Sequence, residues 1–339
     1  MGNDSARPQA KHERPILVLG CPRSGTTLLR LMMNAHPRLA IPPETRFALP
    51  VYFERAKFGD LSEVANRRKL AEFLTGKKAL RFADHDTDAA ATIQAIVDAP
   101  PTVGSALAAV FEQYAARFDK PRWGDKLPTY IEHVRPLLNM FPDAHLIHVL
   151  RDGRDCVGSL KRQEWSKRST PDAIGVWNRA VDYGNKARGW VPASQWHEIR
   201  YEELVADPEG QLKELCRFLD EDFVSDMLEP AKVGAAVMPS RKSFHGMLSG
   251  AVTTQSVGGW QKHLEPWESN LMHFVSGKRL RALGYDVPKA TRPAPKLIAA
   301  HLKAEARDRR SRNLSELQDR RLRRDETKRG VDVAQVHES

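Results

Sequence analysis

Short apolar runs alternate along the chain with stretches in which apolar residues recur at helical spacing. Residues 16–19 form the first run and predict a strand. Leu28, Leu29, Leu31, Met32 and Met33 then lie around one helical face. That helix ends before Pro37, because the residue preceding a proline is pushed out of the helical region. Residues 39–41 predict a short second strand, and residues 47–82 a mixed helical stretch with Arg67, Arg68 and Lys69 on a solvated face. Residues 89–118 read as helix broken at Pro100-Pro101, with Leu107, Val110, Phe111 and Tyr114 as a buried stripe. A helix over about 130–140 stops at Pro142. Residues 144–150, AHLIHVL, predict a buried parallel strand in which His145 and His148 are packed or hydrogen-bonded rather than catalytic. Helices follow up to residue 165, over 173–190 (Trp177, Ala180, Val181 and Gly184 on one face) and over 210–220 (Leu212, Leu215, Cys216 and Leu219 inward). Residues 196–201 read as a strand and 202–207 as a loop. Residues 232–255, dominated by Pro, Ser, Gly, His and Thr, read as a long loop of the lid or binding kind. The last core helix covers 266–284, with Gly284 as its C-cap.

Strands alternating with helices predict one α/β domain over 15–288, three layers deep, with a mostly parallel central sheet flanked by helices. Ligands in such folds sit at the carboxyl ends of the strands. Residues 1–14 read as a flexible leader, and 289–339 as a charged tail, helical or disordered, because 303–329 holds few apolar residues. The formal net charge of +10 suggests an anionic ligand or surface. Much of that excess sits in the tail, a candidate contact for an anionic surface. No aromatic-basic interleaving is present, so no specific nucleic-acid partner is expected. No apolar run approaches the roughly eighteen residues of a membrane span. The polar first residues lack a signal core, so a cytoplasmic location is expected. Cys21, Cys156 and Cys216 have no metal-type spacing and fit buried thiols in a reducing compartment.

The candidate chemistry begins where the first strand runs into Gly20-Cys21-Pro22-Arg23-Ser24-Gly25-Thr26-Thr27 and then a helix. Such a turn aims backbone N–H groups, and the positive end of the helix dipole, at one spot. Gly20 and Gly25 keep the glycine spacing of a triphosphatase loop, G-x-x-x-x-G-K-[ST]. Thr26 stands where that loop has its Lys, and the cation is Arg23. The loop therefore reads as a cradle for a nucleotide phosphate without ATP chemistry; the alternative is a plain turn with threonine caps. A second loop, RDGRDCVGS over 151–159, follows the 144–150 strand. Arg151 offers a planar fork for a phosphate and Ser159 a hydroxyl; the alternative is a local Asp152–Arg154 ion pair at a helix start. The two loops would flank one crevice.

PRSGTTLL resembles the 5′-phosphosulfate loop of the PAPS-dependent sulfotransferases, and RDGRDCVGS their 3′-phosphate motif. PPETRF resembles the Glu-Glu-Thr-Arg segment of the tyrosylprotein-type branch. The resemblance spans residues 15–284 and implies a P-loop-like fold, 3′-phosphoadenosine 5′-phosphosulfate (PAPS) as donor, its bisphosphate (PAP) as product, and no metal requirement. It implies donor binding by Arg23, Ser24, Gly25, Thr26, Thr27, Arg151, Ser159, Tyr201 and Lys262. It also implies Glu44 as general base, Arg46 as an aid in positioning, and Arg23 and Lys126 at the leaving oxygen or the transferring group. Without that match, Glu44 reads as a surface carboxylate paired with Arg46, and Lys126 as a solvated loop lysine. The branch carries an Arg where this chain has Gln163, with Arg162 one step before it as a substitute. The acceptor would be a hydroxyl or amine on a small molecule, glycan, lipid or peptide, with Trp165, Phe244 and Trp260 as candidate lining. Two other readings stand beside this one. One is a P-loop kinase or nucleotide hydrolase that needs magnesium and a Walker-B-type Asp such as Asp152. The other is a non-enzymatic nucleotide-binding module working through its basic tail.

Overall fold

The computed structural model describes residues 14–164, 166–237, 253–329 and 331–337. Its centre is a sheet of β1 (Ile16–Gly20), β2 (Leu39–Ala40), β3 (Arg122–Lys126), β4 (His145–Leu150) and β5 (Trp196–Arg200), in the order β2-β3-β1-β4-β5. Every pairing is parallel, with Ile16 opposite both Gly124 and His145. The side-chain alternation of a strand divides the core between two faces. Leu17, Leu19 and Leu146 pack into one apolar cluster; Ile16, Val18, Ile147 and Val149 pack into the other. The predicted three-layer α/β architecture is the observed one.

The helices in chain order are α1 (Thr26–Asn34), α2 (Ala48–Glu54), α3 (Val64–Gly76), α4 (Ala89–Asp98), α5 (Val103–Ala116), α6 (Val134–Met140), α7 (Gly153–Lys161) and α8 (Thr170–Arg188). They continue as α9 (Tyr201–Ala206), α10 (Pro208–Leu219), α11 (Pro230–Val237), α12 (Trp260–His263), α13 (Pro266–Ala282) and α14 (Pro295–Arg329). Leu29, Met32 and Met33 of α1 join Leu212, Leu215, Cys216 and Leu219 of α10 on one face of the sheet. The stripe of α5 and the Trp177 face of α8 cover the other. Among the described residues, no helix is long and apolar enough to cross a membrane.

Three readings of the sequence are corrected. The stretch that carries Lys126, which the alternative reading put in a loop, ends a strand, β3, between β2 and β1. Its RWGDK sequence lacks a strand's apolar signature, yet all five residues are buried. A Cβ on Gly124 would lie 2.6 Å from the Ile16 carbonyl oxygen, so glycine allows this strand to close against β1. Residues 201–206 form α9 rather than a loop: glutamates 202 and 203 occupy its first turn, where acidic side chains favour the helix dipole. The stretch 232–255 is not one loop. It opens inside α11, and residues 254–256 form a single 3₁₀ turn. Residues 238–252, with Phe244, lie outside the described residues, as does Trp165.

The charged C-terminal segment is a packed helix. Arg55, in the 3₁₀ turn that follows α2 and with 3% of its side chain exposed, donates to Glu326 (2.8 Å from Nη2) and lies 3.6 Å from Asp319. His301 is buried, with Nδ1 3.2 Å from the Pro171 carbonyl oxygen. Beyond α14, Val333 accepts from Gly104 N–H at 2.9 Å, and Gln335 N–H donates to Met140 at 2.7 Å. A Cβ on Gly104 would come within 2.4 Å of Gln335 N, so this glycine leaves room for the returning chain. Removing one partner of a buried ion pair strands the other charge, at a cost of about 3–5 kcal/mol. Arg55→Ala should therefore lower the unfolding free energy by roughly 3 kcal/mol in denaturant titration. A change below about 0.5 kcal/mol would mean that α14 is not held through this residue.

Candidate active site

The loop that leaves β1 is shaped by backbone that most residues avoid. Arg23 (φ 74°) and Gly25 (φ 102°) are left-handed, and Ser24 N–H closes onto the Cys21 carbonyl at 3.0 Å. Gly25 is the N-cap of α1 and supplies no side-chain cap, so the threonine-capped alternative does not describe this turn. The first intrahelical bond is Leu29 N–H to the Gly25 carbonyl, 3.1 Å. The amides of the first turn are left to a ligand. Ser24 Oγ is fully buried and has no partner among the described residues. A Cβ at residue 25 would lie 2.3 Å from the Tyr201 ring, which rests on the bare glycine.

The second loop closes over the first. Arg151 donates to the Arg23 carbonyl (3.1 Å) and the Ser256 carbonyl (2.6 Å), and its guanidinium lies 4.1 Å over the Tyr201 ring. Its Nε is buried and has no partner among the described residues. Arg23 Nε donates to Ser159 Oγ at 3.0 Å, joining the predicted residues of both loops. Burial pushes the Arg23 pKa below its ordinary value, while Cys156 and Glu44 favour its charge and Arg151 and Arg162 oppose it. Arg162 is thus within electrostatic reach, whereas Gln163 turns back to the Ser159 carbonyl at 3.2 Å. Like-charged guanidiniums around an uncapped helix terminus, with Ser24 Oγ and Arg151 Nε unsatisfied, fit a polyanion such as a nucleotide phosphate.

The local alternative for this loop also occurs. Asp152 caps α7 by accepting from Arg154 N–H at 2.8 Å and pairs with the Arg154 side chain at 2.7 Å. Asp155 accepts from Gly258 N–H (2.9 Å) and Trp260 N–H (2.7 Å), and Arg154 stacks 4.4 Å from the Trp260 ring centre. These residues anchor the 257–260 turn. Trp260 is engaged there with Arg154 and His273, and it also lines a cavity of about 320 Å³ with Asp152, Asp155 and Glu202. Lys262 is exposed on α12, and among the described residues its side chain makes no hydrogen bond or ion pair.

Glu44 and Lys126 meet. Lys126 Nζ donates to Glu44 Oε1 at 2.7 Å and to Thr27 Oγ1 at 3.3 Å. The ammonium side chain is 3% exposed and the carboxylate side chain 28%, so Lys126 is not the solvated loop lysine of the alternative reading. Arg46 is exposed. Beside this pair a second one forms: Thr45 Oγ1 donates to Asp125 Oδ2 at 2.8 Å. Asp125 also accepts from Tyr130 OH (2.5 Å) and from Lys126 N–H (2.8 Å). The dipeptides 44–45 and 125–126 therefore lie side by side, joined at both residues.

Asp125 is one of several residues that the sequence did not single out. Burial pushes its pKa up to about 6, against hydrogen bonds that lower it. Arg30, wholly buried on α1, donates to the Ile41 and Val237 carbonyls at 3.2 Å each. Burial lowers its pKa to about 10, and Glu44 acts in the opposite direction. A lone Arg amid Leu29, Met32 and Met33 was its available signal. Nothing in GDK marked Asp125 until β3 was known to be buried. The three cysteines are buried free thiols, and burial with contact to Cys21 raises Cys156 well above its ordinary pKa.

An α/β sheet with an uncapped loop at its central strand, cationic side chains around it and a carboxylate–ammonium pair at its edge is an arrangement suited to transferring an anionic group. The sulfotransferase family profile matches residues 15–226, and the chain belongs to that family. It is 25% identical over 298 residues to protein-tyrosine sulfotransferase 1 of Danio rerio, covering 84% of this chain and 76% of that protein. It is 26% identical over 212 residues to protein-tyrosine sulfotransferase A of Caenorhabditis elegans, covering 60% of this chain and 49% of that one. In fold it resembles the sulfotransferase domain of the Synechococcus PCC 7002 olefin synthase, with a TM-score of 0.56 and 24% identity over 84% of this chain and 99% of that domain.

The Asp125 site gives a pH signature. An acid whose pKa is raised by folding adds stability that is complete below its unfolded value and is lost as pH rises through its folded value. Wild-type stability relative to Asp125→Asn should therefore fall as pH rises from about 4 to about 6. Paired denaturant titrations across that window check this, and a constant difference would reject the buried, protonatable carboxyl.

Proposed function

We propose that the protein transfers a sulfuryl group from PAPS to an acceptor hydroxyl, with Glu44 as general base. The observation that carries this reading is the Glu44–Lys126 pair, 2.7 Å apart, beside Thr27 at the start of the uncapped helix. When bound, PAPS supplies an electrophilic sulfuryl group on an adenosine phosphate leaving group. The first-turn amides of α1, with Ser24, Gly25, Thr26 and Thr27, hold its 5′ side, while Arg151 and Ser159 hold its 3′-phosphate. Tyr201, pinned between Gly25 and Arg151, lines the base, and Lys262 of α12 is the remaining donor contact of this reading.

Lys126 holds Glu44 in place until the acceptor arrives. The Glu44 carboxylate then takes the hydroxyl proton as the new oxygen–sulfur bond forms and the sulfur–phosphate oxygen bond breaks. Lys126 and Arg23 stabilise charge on the departing oxygen. Charge in such a transfer spreads over three equatorial oxygens, and a sulfuryl group carries less of it than a phosphoryl group, so amides and side-chain cations suffice. Asp125 acts as a positioning residue, because through Thr45 it fixes the backbone next to Glu44. The relatives named for protein tyrosine make a phenolic hydroxyl in a peptide the first acceptor to test.

Calorimetric titration with adenosine 3′,5′-bisphosphate, without metal, tests the donor site. Arg23→Ala and Arg151→Ala should each raise Kd at least about tenfold, or about 1.4 kcal/mol. Glu44→Gln should keep bisphosphate affinity within a few-fold and reduce sulfate transfer to a tyrosine peptide or phenol about 10²–10⁴-fold. Binding of ATP with magnesium, and not of the bisphosphate, would overturn the proposal in favour of kinase or hydrolase chemistry.

A further inference from the structure

A cleft of about 380 Å³ lies between α14 and the body of the domain, within the range of small-molecule sites. It shares no residue with the anion loops. Tyr183, Lys186, Ala187 and Trp190 at the end of α8 form one wall, just before β5 begins, so the cleft lies toward the amino ends of the strands. Phe53 and Ile131 contribute apolar surface.

The charges around it do not balance. The inward acids of α14 are already taken: Asp308 by Arg179, and Asp319 and Glu326 by Arg55. Glu132, on the opposite wall, lies 3.6 Å from Arg179, and Arg323 is 3.0 Å from Asp319. Arg135, Lys186, Arg312 and Arg320 also line the cleft, and among the described residues none of them has an ion pair. Glu316 is the acid of the lining that is likewise unpaired among the described residues. Two of these cations sit over aromatic rings. Arg135 lies 5.0 Å from the Trp190 ring centre, and Arg312 lies 5.3 Å from that of Tyr183 while donating to its hydroxyl at 3.0 Å. Trp190 is 41% exposed.

We infer that this cleft binds a small aromatic anion, a planar apolar body with one sulfate, sulfonate or carboxylate group. The rings of Trp190 and Tyr183 provide flat apolar surface, and Arg135, Lys186, Arg312 and Arg320 provide charge complementary to an anion. Guanidiniums already stacked on rings are pre-placed to meet such a group in its plane. Aryl sulfates and aryl carboxylates share this chemistry, and a polyanion without an apolar body does not.

The test uses the full chain and 8-anilino-1-naphthalenesulfonate, whose fluorescence rises in an apolar site. One site should saturate. The probe should be displaced by 2-naphthyl sulfate and 2-naphthoate, but at least tenfold less well by neutral 2-naphthol; the order of the two anions separates an aryl sulfate source from an aryl carboxylate one. The double variant Arg135→Glu/Arg320→Glu should raise the probe Kd tenfold or more. Ser315→Trp, which fills the cleft from α14 without changing its charge, should do the same. Circular dichroism and thermal unfolding show that each variant is folded. Unchanged probe affinity in both folded variants would overturn the inference. So would equal displacement by 2-naphthol, or displacement by adenosine 3′,5′-bisphosphate, which would put the probe at the anion loops.

Discussion

An ammonium group with 3% of its side chain exposed is costly to hold, and the arrangement around Lys126 is organised by that cost. Its charge is met by Glu44 and by Thr27, which come from two different segments. Both reach it only because β3 lies directly beside β1, and β3 can lie there only because Gly124 presents no Cβ to the Ile16 carbonyl. Thr45 and Asp125 then lock the neighbouring backbone in the same register. Sheet order, glycine placement and candidate chemistry are therefore parts of a single constraint.

The cation cluster at the first loop is held by a different means. Arg23, Arg151 and Arg162 repel one another, and burial opposes the Arg23 charge as well. Arg23 rests on the Ser159 hydroxyl, and Arg151 on two carbonyls and the Tyr201 ring with the buried Asp155 carboxylate 3.8 Å away. A hydroxyl orients the Arg23 guanidinium without neutralising it, so that charge still contributes to the field at the helix terminus. Asp152 pairs with Arg154, while Asp155 accepts from the amides of the 257–260 turn and forms a 3.8 Å ion pair with Arg151. One nine-residue motif thus supplies both Arg151 and Ser159 beside the first loop and the anchor for the turn next to them.

The C-terminal segment shows how composition can hide packing. Few apolar residues enter α14, and its mean character is that of a solvated helix. It is nevertheless attached through buried ion pairs to Arg55 and Arg179 and through backbone bonds to α5 and α6. Charge pairing replaces the apolar stripe by which sequence patterns usually reveal a docked helix.

Periodicity alone determined the strands β1, β4 and β5, the inward faces of α1, α5, α8 and α10, and the three-layer parallel architecture, because those signals are local and repeat along the chain. The two anion loops were legible for the same reason: a glycine, an Arg and a hydroxyl residue at fixed spacing after a strand. Tertiary structure alone decided that RWGDK is a buried strand, that Asp125 is the partner of Thr45, that Arg30 lies within reach of Glu44, and that Lys262 is exposed. In each case the deciding quantity is burial or a contact between segments distant in sequence, and a pattern read along one segment carries no record of what is packed against it.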